Sequence, residues 1–405
     1  MRRRLKIWTL AMALAPAAAM AAPGDSALIA QCLHRLAVQQ LRKDSFYYAG
    51  MFRTYRTWAA SPGTLREDNA IFYTGLIVFT LRQLEPLLTE GERAVCDSIV
   101  TRALKAYPYF RNANGRPTFN FWPTDHPVFF PNATVLSRFR RSKQITDDLD
   151  DTSILWLGAG IPDSTARRLQ VLMDAHAAGP GHRANSTYRA VRDLPAYSAW
   201  FGIRTPIELD AGVVANVLYF LRDRGLTPDA HDSASVRFLA YVVQKRKYWT
   251  DPAFASTYYP RTPVLLYHLA RFMGRFPDLD AYRGQVKADL REAMAGAKDG
   301  MDRVILGTSL LRLGDTAGLR ALSPRLGVAH GVGARPDDGA SPDALSPEDD
   351  PFLFYIANIA SLFPNPIRRM ALHNPLFIYH FYSPAYNDAL LLEYLVLRRA
   401  AATGG

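Results

Sequence analysis

The sequence predicts an all-α protein, an (α/α)6-type toroid with long loops gathered at one mouth. Three observations lead there. Six segments, 69–84, 152–158, 211–221, 260–272, 304–313 and 387–397, are apolar on nearly every face. A helix that is apolar all round must be buried all round. Five others, 27–43, 88–107, 164–177, 233–247 and 280–297, place apolar residues at i, i+3, i+4 and i+7 between Arg, Lys and Glu, which is the pattern of a helix with one face on a core. The two kinds alternate along the chain, as inner and outer helices of a ring would. No run alternates apolar and polar for long enough to predict a sheet, although a hairpin of strands inside a loop stays open.

From the N-terminus, Arg2-Arg3-Arg4-Leu5-Lys6 is a basic stretch, and residues 7–20 are apolar. Ala19-Met20-Ala21 has the small-x-small form of a signal peptidase site. Residues 1–22 are therefore expected to be a signal peptide cleaved after Ala21 or Ala22, and the product to be periplasmic or secreted. Residues 23–405 read as a single domain, since no linker divides them. No later apolar span reaches about 18 residues, so no transmembrane segment is expected. The net charge is +11, of which Arg2, Arg3, Arg4 and Lys6 carry four. The remaining +7 is scattered over helix ends and loops, and with no nucleic-acid motif no nucleic-acid partner is expected.

Cys32 and Cys96 both fall on amphipathic segments. Export permits a disulfide between neighbouring helices, and two buried thiols fit the pattern equally well. The even count sets the expectation that the two lie within bridging reach, with Cα atoms less than ~7 Å apart. No CxxC pair offers a cysteine-based zinc site. Three long segments separate the helices. Residues 108–146 are rich in Pro, Asn and aromatics, 179–209 contain Gly179-Pro180-Gly181, and 327–350 are Gly/Pro/Asp-rich and read as a flexible excursion. The first two precede inner helices, which would bring them to the same mouth.

Chemistry is expected at Asp147-Asp148-Leu149-Asp150-Asp151-Thr152-Ser153, directly before the apolar run Ile154-Leu155-Trp156-Leu157. Four carboxylates in five positions repel one another unless they ionise unequally or share a cation or a proton. Parallel inner helices would gather Asp68, Asp148, Asp150, Asp151, Asp210 and Asp388 around one opening. Capping accounts for Asp68, Asp210 and Asp388, because Asp or Asn before a helix satisfies orphan N–H groups and complements the dipole. The matching stretches Asp68-Asn69-Ala70-Ile71, Asp151-Thr152-Ser153-Ile154, Asp210-Ala211-Gly212-Val213 and Asn387-Asp388-Ala389-Leu390 read as a degenerate repeat. One cap does not use four carboxylates.

Asp148-Leu149-Asp150-Asp151-Thr152-Ser153 resembles the DxDDT(A/S) motif of class II terpene cyclases, in the wider group of prenyltransferase-type (α/α) barrel proteins. The resemblance implies that Asp150 is an acid that protonates an alkene or epoxide, with Asp148 and Asp151 holding its proton. Such an acid stays protonated because burial and neighbouring charge raise its pKa against the helix dipole. The match covers six residues. The chain departs from those cyclases in having room for one barrel domain, in lacking a QxxxGxW repeat and in its export signal.

A second feature is Phe119-Asn120-Phe121-Trp122-Pro123-Thr124-Asp125-His126-Pro127, followed by Phe129 and Phe130. Burial against the barrel explains its rings. As a cavity lining, the rings would suit a carbocation or a sugar, and Asp125 and His126 would add a general acid or base. Trp200-Phe201, Tyr258-Tyr259 and Tyr379-His380-Phe381-Tyr382 precede other inner helices. The candidate binding residues are thus Phe121, Trp122, Asp125, His126, Asp210, Tyr259 and Tyr382, beside the catalytic candidates Asp148, Asp150 and Asp151. Asp147, Asp148, Asp150 and Asp151 have the oxygen chemistry for Ca²⁺ or Mg²⁺ but not the spacing of a calcium loop, so no metal and no cofactor are expected. His268 and His34 lie in helical patterns and read as packing or surface residues. GxSxG, Walker and dinucleotide motifs are missing.

Three functions remain. The first is an exported acid catalyst acting on an apolar, isoprenoid-like substrate. The second is a carbohydrate-active (α/α) hydrolase or lyase acting on extracytoplasmic glycan. The third is a non-catalytic binding module. Two opposed carboxyls about 5–9.5 Å apart would favour glycoside hydrolysis, whereas a single cluster facing an apolar pocket would favour protonation of the cyclase type.

Overall fold

The computed structural model describes residues 24–125, 146–179, 181–184, 187–202, 206–316 and 352–403. The expected signal peptide, His126, Phe129, Phe130 and the 327–350 excursion lie outside the described residues. The chain is mainly helical. Among the described residues no helix is long and apolar enough to cross a membrane.

The helices apolar on all faces are α2 (Phe72–Leu84), α4 (Leu149–Ala159), α6 (Ala211–Asp223), α8 (Thr262–Met273), α10 (Gly300–Arg312) and α11 (Pro384–Thr403). Every residue of α4 from Leu149 to Gly158 is buried, as is every residue of α6 from Ala211 to Leu221. The amphipathic helices are α1 (Asp25–Gln39), α3 (Glu90–Ala103), α5 (Asp163–Ala175), α7 (Ala230–Gln244) and α9 (Arg283–Gly296). Each buries one stripe at helical spacing, as with Ile29, Cys32, Leu33 and Leu36 of α1. Packing follows this division. The pairs α2–α4, α4–α6, α6–α8, α8–α10, α10–α11 and α11–α2 are all in contact, so the sequence of neighbours returns to its start. Of the amphipathic helices, α1 packs on α11, α3 on α2, α7 on α6, and α9 on α8 and α10. Gly158 allows α4 to approach α2 closely, because a Cβ there would stand 2.7 Å from Val78 Cγ1.

A four-stranded antiparallel sheet corrects the all-α expectation. Its strands are β1 (Thr54–Trp58), β2 (Ser61–Asp68), β3 (Tyr355–Asn358) and β4 (Ile378–Tyr382), in the order β2-β1-β4-β3. Arg56 faces Arg66 on β2 and Phe381 on β4, while Tyr355 also faces Phe381. The strands are short, β2 is exposed along nearly its whole length, and β1 is buried on both faces. None of them shows the period-2 alternation by which a half-buried strand is recognised. The Tyr73 hydroxyl donates to the Phe381 carbonyl (2.6 Å), and the Ile356 N–H donates to the Tyr258 carbonyl (3.0 Å). These bonds fix the sheet to α2 and to the segment before α8.

Two expected caps have other duties. Asp68 ends β2 rather than starting α2, whose N-cap is Ile71. It accepts from Trp122 Nε1 (2.7 Å) and faces Arg56 at 3.5 Å. Asp388 lies inside α11, which begins at Pro384, and binds Arg35 (3.1 Å) and Gln39 (2.6 Å) of α1. Of the two states the sequence left open for Cys32 and Cys96, the structure has two buried free thiols. Although α1 and α3 touch, the sulfurs have different surroundings. Cys32 feels Asp388 and Arg35, whereas Cys96 feels Asp97, Glu92 and Glu85.

Candidate active site

Asp148 is the N-cap of α4. Its extended backbone turns the side chain back to accept the Asp151 N–H at 2.6 Å. That cap drives Asp150 and Asp151 into the first buried turn. A neighbouring segment runs antiparallel to this approach: Leu149 N–H donates to Ala199 O (2.9 Å) and Phe201 N–H to Asp147 O (3.0 Å), which sets Trp200 opposite Asp148.

Asp210 is the N-cap of α6 and also organises the segment before α8. It accepts from Gly212 N–H (2.9 Å), Val213 N–H (3.1 Å), Ser256 Oγ (2.6 Å) and Tyr258 N–H (3.1 Å). The turn so fixed delivers Tyr259, whose hydroxyl donates to Asp150 Oδ2. Asn216 of α6 donates from Nδ2 to Asp150 Oδ1 at 2.6 Å. Asp150 is thus gripped on both oxygens.

The pocket is open on one side and holds about 270 Å³ of empty space, counting the open part. Phe72, Asp148, Asp150, Asp151, Ala199, Trp200, Val213, Tyr258 and Tyr355 line it. Phe72, the three aspartates and Val213 come from the first turns of α2, α4 and α6. The aromatic wall is continuous: the Phe72 and Tyr355 rings are 4.7 Å apart, Tyr258 stacks on Tyr355 at 6.1 Å, and Trp200 meets Tyr258 edge-on at 6.0 Å. Behind the wall, Glu208 accepts from the Tyr258 hydroxyl (2.6 Å) and Trp200 Nε1 (3.1 Å) and pairs with the buried Arg368 at 3.1 Å.

The carboxyls differ in proton affinity. Burial pushes Asp150 up to about 7 against the donors Tyr259 and Asn216. Burial raises Asp148 to about 6, and the bonds it accepts from Asp151 hold it below its neighbours. Asp151 is raised well above the ordinary carboxylate range, by burial and then by the charge of Asp148. Asp148 and Asp151 thus titrate as a coupled pair, whose two carboxyls both favour the protonated form more than a free carboxylate does. Asp151 Oδ1 is buried and has no hydrogen-bond partner among the described residues. Burial also lifts Asp210 to about 7, opposed by Ser256.

The carboxylates do not converge on a cation. Asp147 turns away and accepts from Asn112 (2.6 Å), Thr118 (2.5 Å) and Asn120 (3.2 Å), which pins the 110–122 loop. Among the described residues no group of three or more His, Cys, Asp or Glu is arranged to hold a metal ion.

Of the residues chosen from sequence, Asp148, Asp150 and Asp151 line the pocket, Tyr259 holds Asp150, and Asp210 supports both. Phe121 stands one layer back, 5.7 Å from the Tyr355 ring. Trp122 packs on Phe121 and spends its N–H on Asp68. Asp125 is exposed and accepts from the Tyr48 hydroxyl (2.6 Å), away from the pocket lining. Tyr382 is buried on β4 against Tyr55, because pairing with β1 directs it along the sheet. Sequence reasoning missed Phe72, Tyr355, Asn216 and Arg271. Asn216 and Arg271 carried a signal: each is a strongly polar residue inside a helix that is otherwise apolar all round, where a polar group needs a partner. Tyr355 carried none.

The fold and site together define a mainly helical protein with a three-carboxyl pocket walled by aromatics. Comparison with family models, with curated proteins and with solved structures finds no match to this chain.

Proposed function

We propose that the six apolar helices form an (α/α)6 toroid and that the pocket at its mouth performs acid catalysis on an apolar substrate, in an exported protein. One observation carries the reading. Three carboxyls of unequal proton affinity sit on one helical turn and face an aromatic wall, and among the described residues no further carboxylate lines the pocket opposite them. This is the arrangement for protonation, and it agrees with the role the DxDDTS resemblance gives Asp150. Asp150 gives its proton to an alkene carbon or epoxide oxygen, leaving a carbocation. The faces of Phe72, Tyr258 and Tyr355 suit that charge through their quadrupoles. The cation then loses a neighbouring proton or takes up water, and Asp150 regains a proton from solvent through the open side.

The glycan reading keeps one observation: Trp200 is only partly buried at the pocket edge, where a sugar ring would stack. Glu208, the carboxylate bonded to the side chains of that wall, is engaged by Arg368, Tyr258 and Trp200 and is withdrawn from such chemistry. The test is turnover of two substrate panels, linear isoprenoid alkenes and epoxides against oligosaccharides, by wild type and Asp150→Asn. Product from an isoprenoid that Asp150→Asn does not form supports the reading. Oligosaccharide cleavage lost in the same variant overturns the substrate class. Binding with no turnover by the wild type overturns the catalytic assignment in favour of a binding module.

A further inference from the structure

Arg271 is a buried cation, 1% exposed, on the inner helix α8. Among the described residues no carboxylate lies within ion-pair distance of it. The contrast is Arg312, a neighbouring inner cation, which pairs with Glu393 at 2.6 Å. The Arg271 guanidinium lies over the rings of Phe79 (5.0 Å) and Tyr267 (5.3 Å). Its Nη2 donates to Asn216 Oδ1 and stands 3.1 Å from His268 Nδ1. Asn216 in turn donates to Asp150 Oδ1. A single amide therefore joins an otherwise unpaired buried cation to the candidate acid.

The chemistry of the amide makes this link directional. A guanidinium only donates, so the Asn216 oxygen must face Arg271 and its NH₂ must face Asp150. Turning the amide over would set donor against donor at Arg271. Asp150 Oδ1 thus always receives an N–H and has no place for a proton of its own. Oδ2 faces the Tyr259 hydroxyl, which accepts as readily as it donates.

We propose that Arg271 is a positioning residue which, through Asn216, keeps Asp150 Oδ1 a permanent acceptor and confines the transferable proton to Oδ2. The inference rests on the reading of Asp150 as the acid. The same link places a positive charge one residue away and restrains the proton affinity that burial raises. The other ionisable groups around Asp150 are Asp148 and Asp151 on its own helix, Tyr258 and Tyr259 before α8, and Tyr355 on β3. Around Arg271 they are Tyr219 on α6, His268 and Tyr267 on α8, Arg312 on α10, and Glu393 and Tyr386 on α11. His268, held far below its ordinary pKa by burial and by Arg271, stays neutral.

The experiment needs no substrate. The carboxylic C=O stretch of Asp150 is isolated as the infrared difference between each protein and its Asp150→Asn counterpart, and followed against pH. Arg271→Met is expected to move the half-protonation point upward by about one pH unit or more, from about 7 in the wild type. Arg271→Lys, still a donor-only cation, should recover at least half of that shift. An unchanged midpoint and band position in Arg271→Met overturn the proposal. If Arg271→Met does not fold, Asn216→Ala breaks the link while leaving the cation in place, and an unmoved midpoint there overturns it equally. Turnover of Asp150→Asn tests the acid reading separately, so each can fail without the other.

Discussion

The ring of Tyr259 lies against the backbone of Gly212, so that a Cβ at position 212 would come within 2.2 Å of Tyr259 Cδ2. A glycine in the first turn of α6 is therefore part of how Asp150 is held, because it makes room for the ring whose hydroxyl reaches the carboxyl. Helix propensity alone would favour alanine at such a position by up to about 1 kcal/mol. Overpacking should win: Gly212→Ala is expected to destabilise the fold by roughly 1–3 kcal/mol. It should also remove the Tyr259–Asp150 bond, costing more stability than Tyr259→Phe. Urea unfolding of both variants checks this, and a Gly212→Ala protein as stable as wild type would refute it.

Cys32 and Cys96 are each 2% exposed, and burial pushes both thiols up to about 12. The thiolate is the reactive form, and neither access nor ionisation supplies it here. Native protein at pH 8 should show no fast reaction with a thiol-specific reagent, and denatured protein should show two equivalents without prior reduction. One fast equivalent in the native state, or none after denaturation, would contradict the structure.

Asp210 supplies a contrast with Asp150 at the same substitution. All four donors on Asp210 approach a carboxylate, three on Oδ1 and the Tyr258 N–H on Oδ2. An asparagine keeps only one acceptor oxygen and sets its NH₂ against a backbone N–H. Asp210→Asn is expected to cost about 1–3 kcal/mol in chemical denaturation and to loosen Tyr258 in the pocket wall. A neutral effect would mean that Asp210 acts as a simple cap, for which asparagine is a good replacement.

What was legible in the sequence and what was not have distinct physical causes. The helices apolar all round were visible because a helix buried on all faces has to be apolar on all faces, and residues 211–221 are covered throughout in α6. The acid cluster was visible because its charge density exceeds what one cap uses, and Asp148 fills that cap alone. The sheet was hidden because Arg56 meets Phe381 across more than three hundred residues, and nothing local records such a pairing. Tyr355 was hidden for the same reason, since only the β3–β4 register carries it to the pocket. Asp125 and Tyr382 were misplaced because aromatic-rich sequence signals burial without saying which surface is buried.

The acid itself gives the sharpest prediction of stability against pH. Asp150 is buried, and burial lifts it from 3.8 to about 7 in the folded chain. The folded state thus binds the proton more tightly than the unfolded state. The stabilisation this brings is fully present below about pH 4 and is lost as the pH rises through about 7. Asp150→Asn has no such proton. Its stability relative to wild type should therefore rise between pH 4 and 7, by an amount on the order of a few kcal/mol, and stay level at higher pH. Subtracting the two proteins cancels the titrating groups that do not feel Asp150, while Asp148 and Asp151, which do, contribute to the difference along with it. Thermal unfolding of both at half-unit pH intervals measures the difference. A flat difference would mean that Asp150 is ionised throughout. A carboxylate charged at every pH in that window has no proton to give, and the acid role would then fall to Asp151, which burial and the charge of Asp148 raise well above the ordinary carboxylate range.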